Sequence, residues 1–317
     1  MPDTTAEGVL KYVSEGQLER TLRQGRFAVT AEITPPLSSD ANLLLDKARP
    51  LRGLVDGVNV TDGASARTHM ASLAAATILA RDGIEPVLQL NTRDYNRIAL
   101  QSSLIGAAAL SIHNVLCLTG DRPEAGDQPD AKAVFDLKSS ELVACAATMR
   151  DEAKLPSGRA IEVPPRLFIG AADSPIDPPP DWRPEALLAK IASGIDFVQT
   201  QFCFDAGVVR RYAARLIELG LTERLFVLIG IGPLASARSA LWMREHLFGT
   251  IIPDSLINRL ESAQDERAEG RRICVELIAE LRDIPGVAGA HLMGPLNAAA
   301  VPLVIEESGV RRASASS

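Results

Sequence analysis

The chain has 317 residues, 46% hydrophobic and 23% charged, with Lys plus Arg at 33, Asp plus Glu at 40 and a formal net charge of −7. These values exclude a disordered chain and suit one large α/β domain, able to bury roughly three quarters of its unfolded surface. The acidic balance disfavours a phosphate backbone or an anionic membrane, and aromatics at 4% leave few stacking platforms, so neither nucleic acid nor membrane is an expected partner.

Residues 1–24 read as an N-terminal extension with a short helical pattern over 15–24, placed as a plug or lid at one end of the domain. No basic region precedes an apolar stretch there, so no signal peptide is expected. From residue 25 onward, apolar β-branched runs alternate with helical spacing. Strands are predicted over 27–33, 56–61, 86–91, 114–118, 166–171, 196–201, 226–230 and 289–293. Helices are predicted over 40–51, 67–82, 96–110, 139–153, 183–192, 206–219, 235–246, 254–282 and 296–307. Short apolar strands separated by helices imply parallel βαβ units buried on both faces. Eight such units across 25–310 are the number and size of a (β/α)8 TIM barrel, with an open doubly wound sheet as the competing α/β architecture.

Two loops stand out, 121–138 and the proline-rich 173–182, which holds Pro175, Pro178, Pro179 and Pro180. Both follow strands, so both belong to the face where barrels build their sites. The small, polar stretch 311–317 is expected to be a flexible tail. Cys117, Cys145, Cys203 and Cys274 are far apart, which fits a reduced, cytoplasmic protein with no disulfide framework. The apolar run 225–235 is broken by Gly and Pro and is too short to cross a bilayer.

Polar residues at the ends of otherwise apolar strands carry the functional signal. Glu32 is a lone carboxylate among apolar neighbours, and burial there would raise its pKa into the range of a general acid; a structural ion pair across the barrel is the alternative. Strand two ends Asn59-Val60-Thr61-Asp62-Gly63-Ala64, and strand three ends Gln89-Leu90-Asn91-Thr92-Arg93-Asp94. Strand four ends Thr119-Gly120-Asp121, where Asp121 suits paired hydrogen bonds from a heterocycle or, more simply, a turn. Gln199 and Gln201 share one face of strand six by period two, either facing a neutral ring or as satisfied core amides. The run Gly230-Ile231-Gly232-Pro233-Leu234-Ala235 is only a weak dinucleotide fingerprint and reads better as a barrel loop. The four histidines show no metal-ligand spacing.

Taken in order, Ala31-Glu32-Ile33-Thr34-Pro35-Pro36, Asn59 to Gly63, Leu118-Thr119-Gly120-Asp121 and Gln199-Thr200-Gln201-Phe202-Cys203-Phe204-Asp205 resemble the methylenetetrahydrofolate reductase family over about 25–310. Arg93-Asp94-Tyr95-Asn96 and Val134-Phe135-Asp136 resemble a bacterial branch of it. The resemblance implies a flavin, FAD by default with FMN as the alternative. It also implies hydride from NADH or NADPH, and ping-pong reduction of 5,10-methylenetetrahydrofolate to 5-methyltetrahydrofolate in the service of methionine biosynthesis. Glu32 matches the family's catalytic acid and Asp121 the aspartate that binds the pterin. Gln201 and Thr61 match substrate contacts. Cofactor contacts implied are Thr61, Asp62, Ala64, Gln89, Arg93, Thr119, Gly120, Asp121, Asp136, Ala172 and Lys190. The chain departs from the family at Thr119 (an arginine elsewhere), Gln89 (a histidine), Ala172 and Asp62 (tyrosines) and Ala298 (an arginine). Arg93 or Arg97 is placed to replace a lost phosphate contact. Two alternatives stand beside this reading: a folate- or flavin-binding subunit active only with a redox partner protein, and a flavin-free reductase with direct hydride transfer. Homo-oligomerisation is left open.

Overall fold

A computed structural model describes residues 13–311, so the expectations for 1–12 and 312–317 fall outside the described residues. Eight parallel strands close into a barrel in sequence order: β1 Ala28–Ile33, β2 Gly57–Val60, β3 Pro86–Asn91, β4 Asn114–Leu118, β5 Phe168–Asp173, β6 Phe197–Phe202, β7 Phe226–Ile231 and β8 Gly289–Leu292. The ring closes where Ala28 to Ala31 of β1 pair with Gly289 to Leu292 of β8. The TIM barrel is therefore the fold, and the open sheet is excluded.

Helix α1 (Gln17–Arg23) precedes the barrel. Its Leu18 and Leu22 pack with Ala28, Val87, Leu116, Phe168, Phe197 and Leu228, the inward-facing residues toward the strands' amino ends. The extension's described part is thus a plug beneath the barrel. Between the strands run α2 Ala41–Ala48, α3 Ser72–Arg81, α4 Arg97–Ala109, α5 Ser139–Glu152, α6 Glu185–Ser193 and α7 Ala206–Glu218. They are followed by α8 Ala237–His246, α9 Asp254–Glu261, α10 Glu266–Arg282 and, after β8, α11 Val301–Ser308. Their apolar faces cover the barrel in one continuous core, which includes Cys117, Cys145, Cys203 and Cys274, all buried free thiols. No helix among the described residues is long and apolar enough to cross a membrane.

Three of the differences from the expected boundaries bear on the loops. The helix predicted over 254–282 is two helices, because the Asp265 side chain accepts from Ala268 N–H and caps a fresh start. The helix predicted from 67 begins at Ser72, since residues 63–71 form a tight loop with Ser65 and Ala66 both at φ 54°. Strand β5 runs on to Asp173, two residues past its expected end. In the Gly230 to Ala235 run, a side chain at Gly232 would meet the Met293 carbonyl, so this glycine serves strand packing beside β8.

Candidate active site

Period-two alternation sets what the barrel interior contains. On one face, β1 carries Thr30 and Glu32, β2 Asn59, β3 Gln89, β6 Gln199 and Gln201, and β8 His291. Barrel interiors are ordinarily filled by branched apolar residues. Here the apolar plug layer gives way above to amides, a hydroxyl and an imidazole, which lead to a cavity of about 710 Å3 at the strands' carboxyl ends. Glu32, Gln89, Asp121, Ala172, Lys190 and Gln201 all line it, brought together from four strands, the loop after β4 and a helix. Leu116, Leu118, Met293 and Phe248 give it apolar walls.

Glu32 sits at the cavity floor with its side chain 27% exposed. Gln89 Nε2 donates to its Oε2 at 2.9 Å. Burial pushes the Glu32 carboxyl above the ordinary carboxylate range, and the Gln89 hydrogen bond only partly opposes this. His291 Nε2 lies 3.9 Å from the same oxygen, and burial drops this imidazole to about 3, so it is neutral and offers no compensating charge. The ion pair weighed as an alternative for Glu32 therefore has no charged partner in His291. Gln199 is the buried, satisfied amide of its pair, whereas Gln201 is half-buried, its Oε1 accepting from Phe202 N–H at 3.0 Å; both line the cavity.

Lys190, on α6, donates from Nζ to the Ala172 carbonyl at 2.5 Å and stands 3.9 Å from Asp173 Oδ1. Asp173 also accepts from the Tyr212 hydroxyl at 2.5 Å, and burial raises its carboxyl despite that bond and the Lys190 charge. The cavity is consequently lined by three carboxyl groups, those of Glu32, Asp121 and Asp173, and one ammonium, Lys190.

The remaining expected contacts are not among the residues that line this cavity. Arg93 is 4% exposed and its guanidinium is committed: Nε and Nη2 to Asp94 at 2.7 and 2.6 Å, Nη2 to the Gly63 carbonyl at 3.1 Å, Nη1 to the Asp121 carbonyl at 3.0 Å. It therefore acts as a brace between the loops after β2, β3 and β4. Gly63, at φ +60°, permits that approach, because a Cβ there would meet Arg93 Nη2. Asp62 is buried as an acceptor for Asn91 N–H, Asn91 Nδ2 and the Ser72 hydroxyl, and desolvation raises its carboxyl. Ala64 N–H donates to His69 Nε2 at 3.3 Å. Asp136 takes Arg97 Nε and Nη2, both at 2.8 Å, and this pairing pulls its carboxyl down to about 2. With Val134 N–H on the Arg93 carbonyl and Phe135 N–H on that of Thr92, the two branch motifs are one structural unit that folds the long loop back over β3. Arg97, like Arg93, is spent there. Thr61 is buried with no hydrogen-bond partner for its hydroxyl. Thr119 and Gly120 form the turn that delivers Asp121, Gly120 at φ +85°.

Sequence reasoning did not single out Thr30, His291, Asp173 or Phe248. For the first two the signal was present, a polar residue on the face shared with Glu32 or Met293. Phe248 lies in the segment after α8 and is 92% exposed at the cavity rim.

A closed (β/α)8 barrel with a desolvated carboxyl at its carboxyl-end mouth is the build of a barrel enzyme. The chain belongs to the methylenetetrahydrofolate reductase family, whose model matches residues 17–309. It is 24% identical over 230 residues to a probable methylenetetrahydrofolate reductase (NADPH) from Caenorhabditis elegans, covering 70% of this chain and 32% of that one. It is 26% identical over 215 residues to a 5,10-methylenetetrahydrofolate reductase from Pectobacterium carotovorum subsp. carotovorum, covering 62% of each. The chain thus spans less than two thirds of either relative. Among solved structures, an uncharacterized Clostridium thermocellum protein that binds two copies of 5-methyl-5,6,7,8-tetrahydrofolic acid superposes with a TM-score of 0.64 at 14% identity, over 94% of this chain and all of that one. An EDTA monooxygenase from Chelativorans sp. BNC1 superposes with a TM-score of 0.56 at 11% identity, over 91% of this chain and 94% of that one. At these identities the likeness is one of fold.

Proposed function

We propose that this protein reduces 5,10-methylenetetrahydrofolate to 5-methyltetrahydrofolate with NAD(P)H, and that Glu32 is the general acid. The observation that carries this reading is Glu32 itself, a carboxyl whose pKa burial raises, at the floor of a cavity walled by amides and apolar side chains. Ring opening breaks the bond between the methylene carbon and N10. Glu32 delivers a proton to N10, leaving a cationic iminium that then accepts hydride at the methylene carbon. The Asp121 carboxylate, at the cavity rim, stabilises that cation and accepts from the pterin's amino groups. Gln201 supplies a mixed donor and acceptor for the uncharged part of the ring. The Clostridium thermocellum neighbour's methyltetrahydrofolate supports a folate as the ligand of this mouth.

The donor set also fits a flavin ring: apolar walls at Leu116, Leu118 and Met293, and amides at Gln89 and Gln201. Gln89, Ala172, Asp121 and the turn Thr119-Gly120 would hold the ring, and the unpartnered Thr61 hydroxyl is an open valence beside it. Lys190 is the cavity's ammonium for a phosphate, while Asp62, Ala64, Arg93 and Asp136 act indirectly by bracing the loops. Bound flavin supplies a hydride carrier, which divides the reaction into two half-reactions. Lys190→Ala is expected to weaken flavin retention roughly tenfold or more, the worth of one charge-assisted hydrogen bond; equilibrium dialysis against FAD and FMN measures it.

The test of the reading is an anaerobic visible spectrum of the protein, alone, after NADH or NADPH, and after methylenetetrahydrofolate. A flavin band bleached by the nicotinamide and restored by the folate is the expected sequence. A bound flavin that neither nicotinamide bleaches points to a separate redox partner. A colourless protein that binds no added flavin yet reduces the folate transfers hydride directly, and one that does neither overturns the proposal.

A further inference from the structure

The polar layer beneath Glu32 forms a directional chain. Asn59 and Gln199 form a reciprocal amide pair, Asn59 Nδ2 to Gln199 Oε1 at 2.6 Å and Gln199 Nε2 to Asn59 Oδ1 at 3.0 Å. Gln199 Nε2 also donates to Thr30 Oγ1 at 3.0 Å. Thr30 Oγ1 lies 2.9 Å from His291 Nδ1. Thr30, Asn59, Gln199 and His291 are each at most 3% exposed, so these groups must satisfy one another rather than turn to solvent. An amide that has spent its oxygen on Asn59 leaves only N–H for Thr30. The threonine oxygen accepts that bond, so its own hydrogen is free for Nδ1. An Nδ1 that accepts places the ring proton on Nε2, the atom facing Glu32.

We propose that Gln199 and Thr30 lock His291 in its neutral Nε2–H tautomer, making it a positioning residue that presents a second donor to Glu32 beside Gln89. This rests on the assignment of Glu32 as the acid. Once Glu32 has given up its proton, its carboxylate is met by the Gln89 amide at 2.9 Å and by the His291 N–H, which closes its 3.9 Å gap by a small shift or through one water. A ring of the opposite tautomer would turn a lone pair toward the carboxylate and hold the proton on Glu32. The other charged or titratable groups lining the cavity are Asp121, Asp173, Lys190 and His246. None of these is changed by substitutions in the buried layer.

The chain has four histidines, so selective ¹⁵N-histidine labelling gives a readable spectrum. In ligand-free wild-type protein near neutral pH, long-range ¹H–¹⁵N correlations are expected to show His291 as neutral Nε2–H. Thr30→Val should populate the Nδ1–H form. It should also raise the midpoint at which the His291 resonances report Glu32 ionisation by roughly 0.5–1 pH unit, the equivalent of one hydrogen bond. Thr30→Ser, which keeps the hydroxyl, should restore both. A wild-type His291 that is Nδ1–H, as the amide pair read the other way round would make it, overturns the lock. So does a Thr30→Val protein with unchanged tautomer and midpoint. These readouts need no folate turnover, so a protein with the expected tautomer that fails to reduce folate would overturn the proposed function and leave the lock standing.

Discussion

Glu32→Gln is expected to leave reduction of bound flavin by NAD(P)H nearly intact, while slowing reduction of methylenetetrahydrofolate roughly 10²–10⁴-fold, the range for loss of a positioned general acid. The glutamine keeps the shape and can still meet the Gln89 amide, so binding changes little and the loss falls on proton delivery. Stopped-flow measurement of each half-reaction separates the two, and equal losses in both would assign Glu32 a structural role. The pH dependence has a definite sign. Glu32 acts in its protonated form, so folate reduction falls as pH rises through its raised pKa, and the glutamine variant loses that limb. Stability follows the same linkage. Because the folded-state pKa is raised, Glu32's favourable contribution is complete below the ordinary carboxylate range and is lost as pH rises through the raised value. Above that value the variant is therefore expected to unfold at a temperature no lower than wild type, so the acid is held in place at some expense of stability.

The barrel was legible because its strands are buried on both faces and its helices on one, which gives apolar runs of different length and spacing. β3 and β4 lie where the pattern puts them, at Pro86–Asn91 and Asn114–Leu118. The same burial hides the site. A strand apolar on both faces does not announce which residues point inward, so Thr30 and His291 carried no more weight in the sequence than any polar residue in a strand. Charged loop residues are the opposite case. Arg93 reads as an open cation beside a strand end, but its partners lie at Gly63, Asp94 and Asp121, and two of those three contacts depend on loop closure that no local pattern encodes. Glu32, Asp121 and Gln201 were within reach because the carboxyl ends of barrel strands converge whatever the loops do, whereas Lys190, on α6, entered only through the family resemblance.

At the opposite end of the barrel, Asp56→Ala is expected to cost about 2–4 kcal/mol of stability, less than a fully buried ion pair because the Arg311 side chain is 22% exposed. Asp56, 2% exposed and immediately before β2, accepts from Val29 N–H at 2.8 Å, from the Thr21 hydroxyl at 2.9 Å and from Arg311 Nη2 at 2.6 Å. One carboxylate thereby joins the plug helix, the first strand and Arg311, three residues past α11, and Arg311 adds a bond from Nε to the Leu54 carbonyl. Asp196, before β6, repeats the device, accepting from Ile169 N–H at 2.8 Å and from Arg150 at 2.6 Å. In both places an aspartate satisfies a backbone N–H at the start of the preceding strand, where the barrel ladder offers no carbonyl. Alanine at 56 leaves that N–H without its acceptor and removes the carboxylate from the Arg311 guanidinium, which keeps its bond to the Leu54 carbonyl. The thermal midpoint should fall by roughly 3–8 °C, and Asp56→Asn, which retains one acceptor oxygen, should fall less. Because the carboxylate lies at the strands' amino ends and the cavity at their carboxyl ends, kcat/KM of the folded variant well below its midpoint should stay within about twofold of wild type. A larger loss of activity in fully folded protein would show that the plug and the mouth are coupled through the barrel.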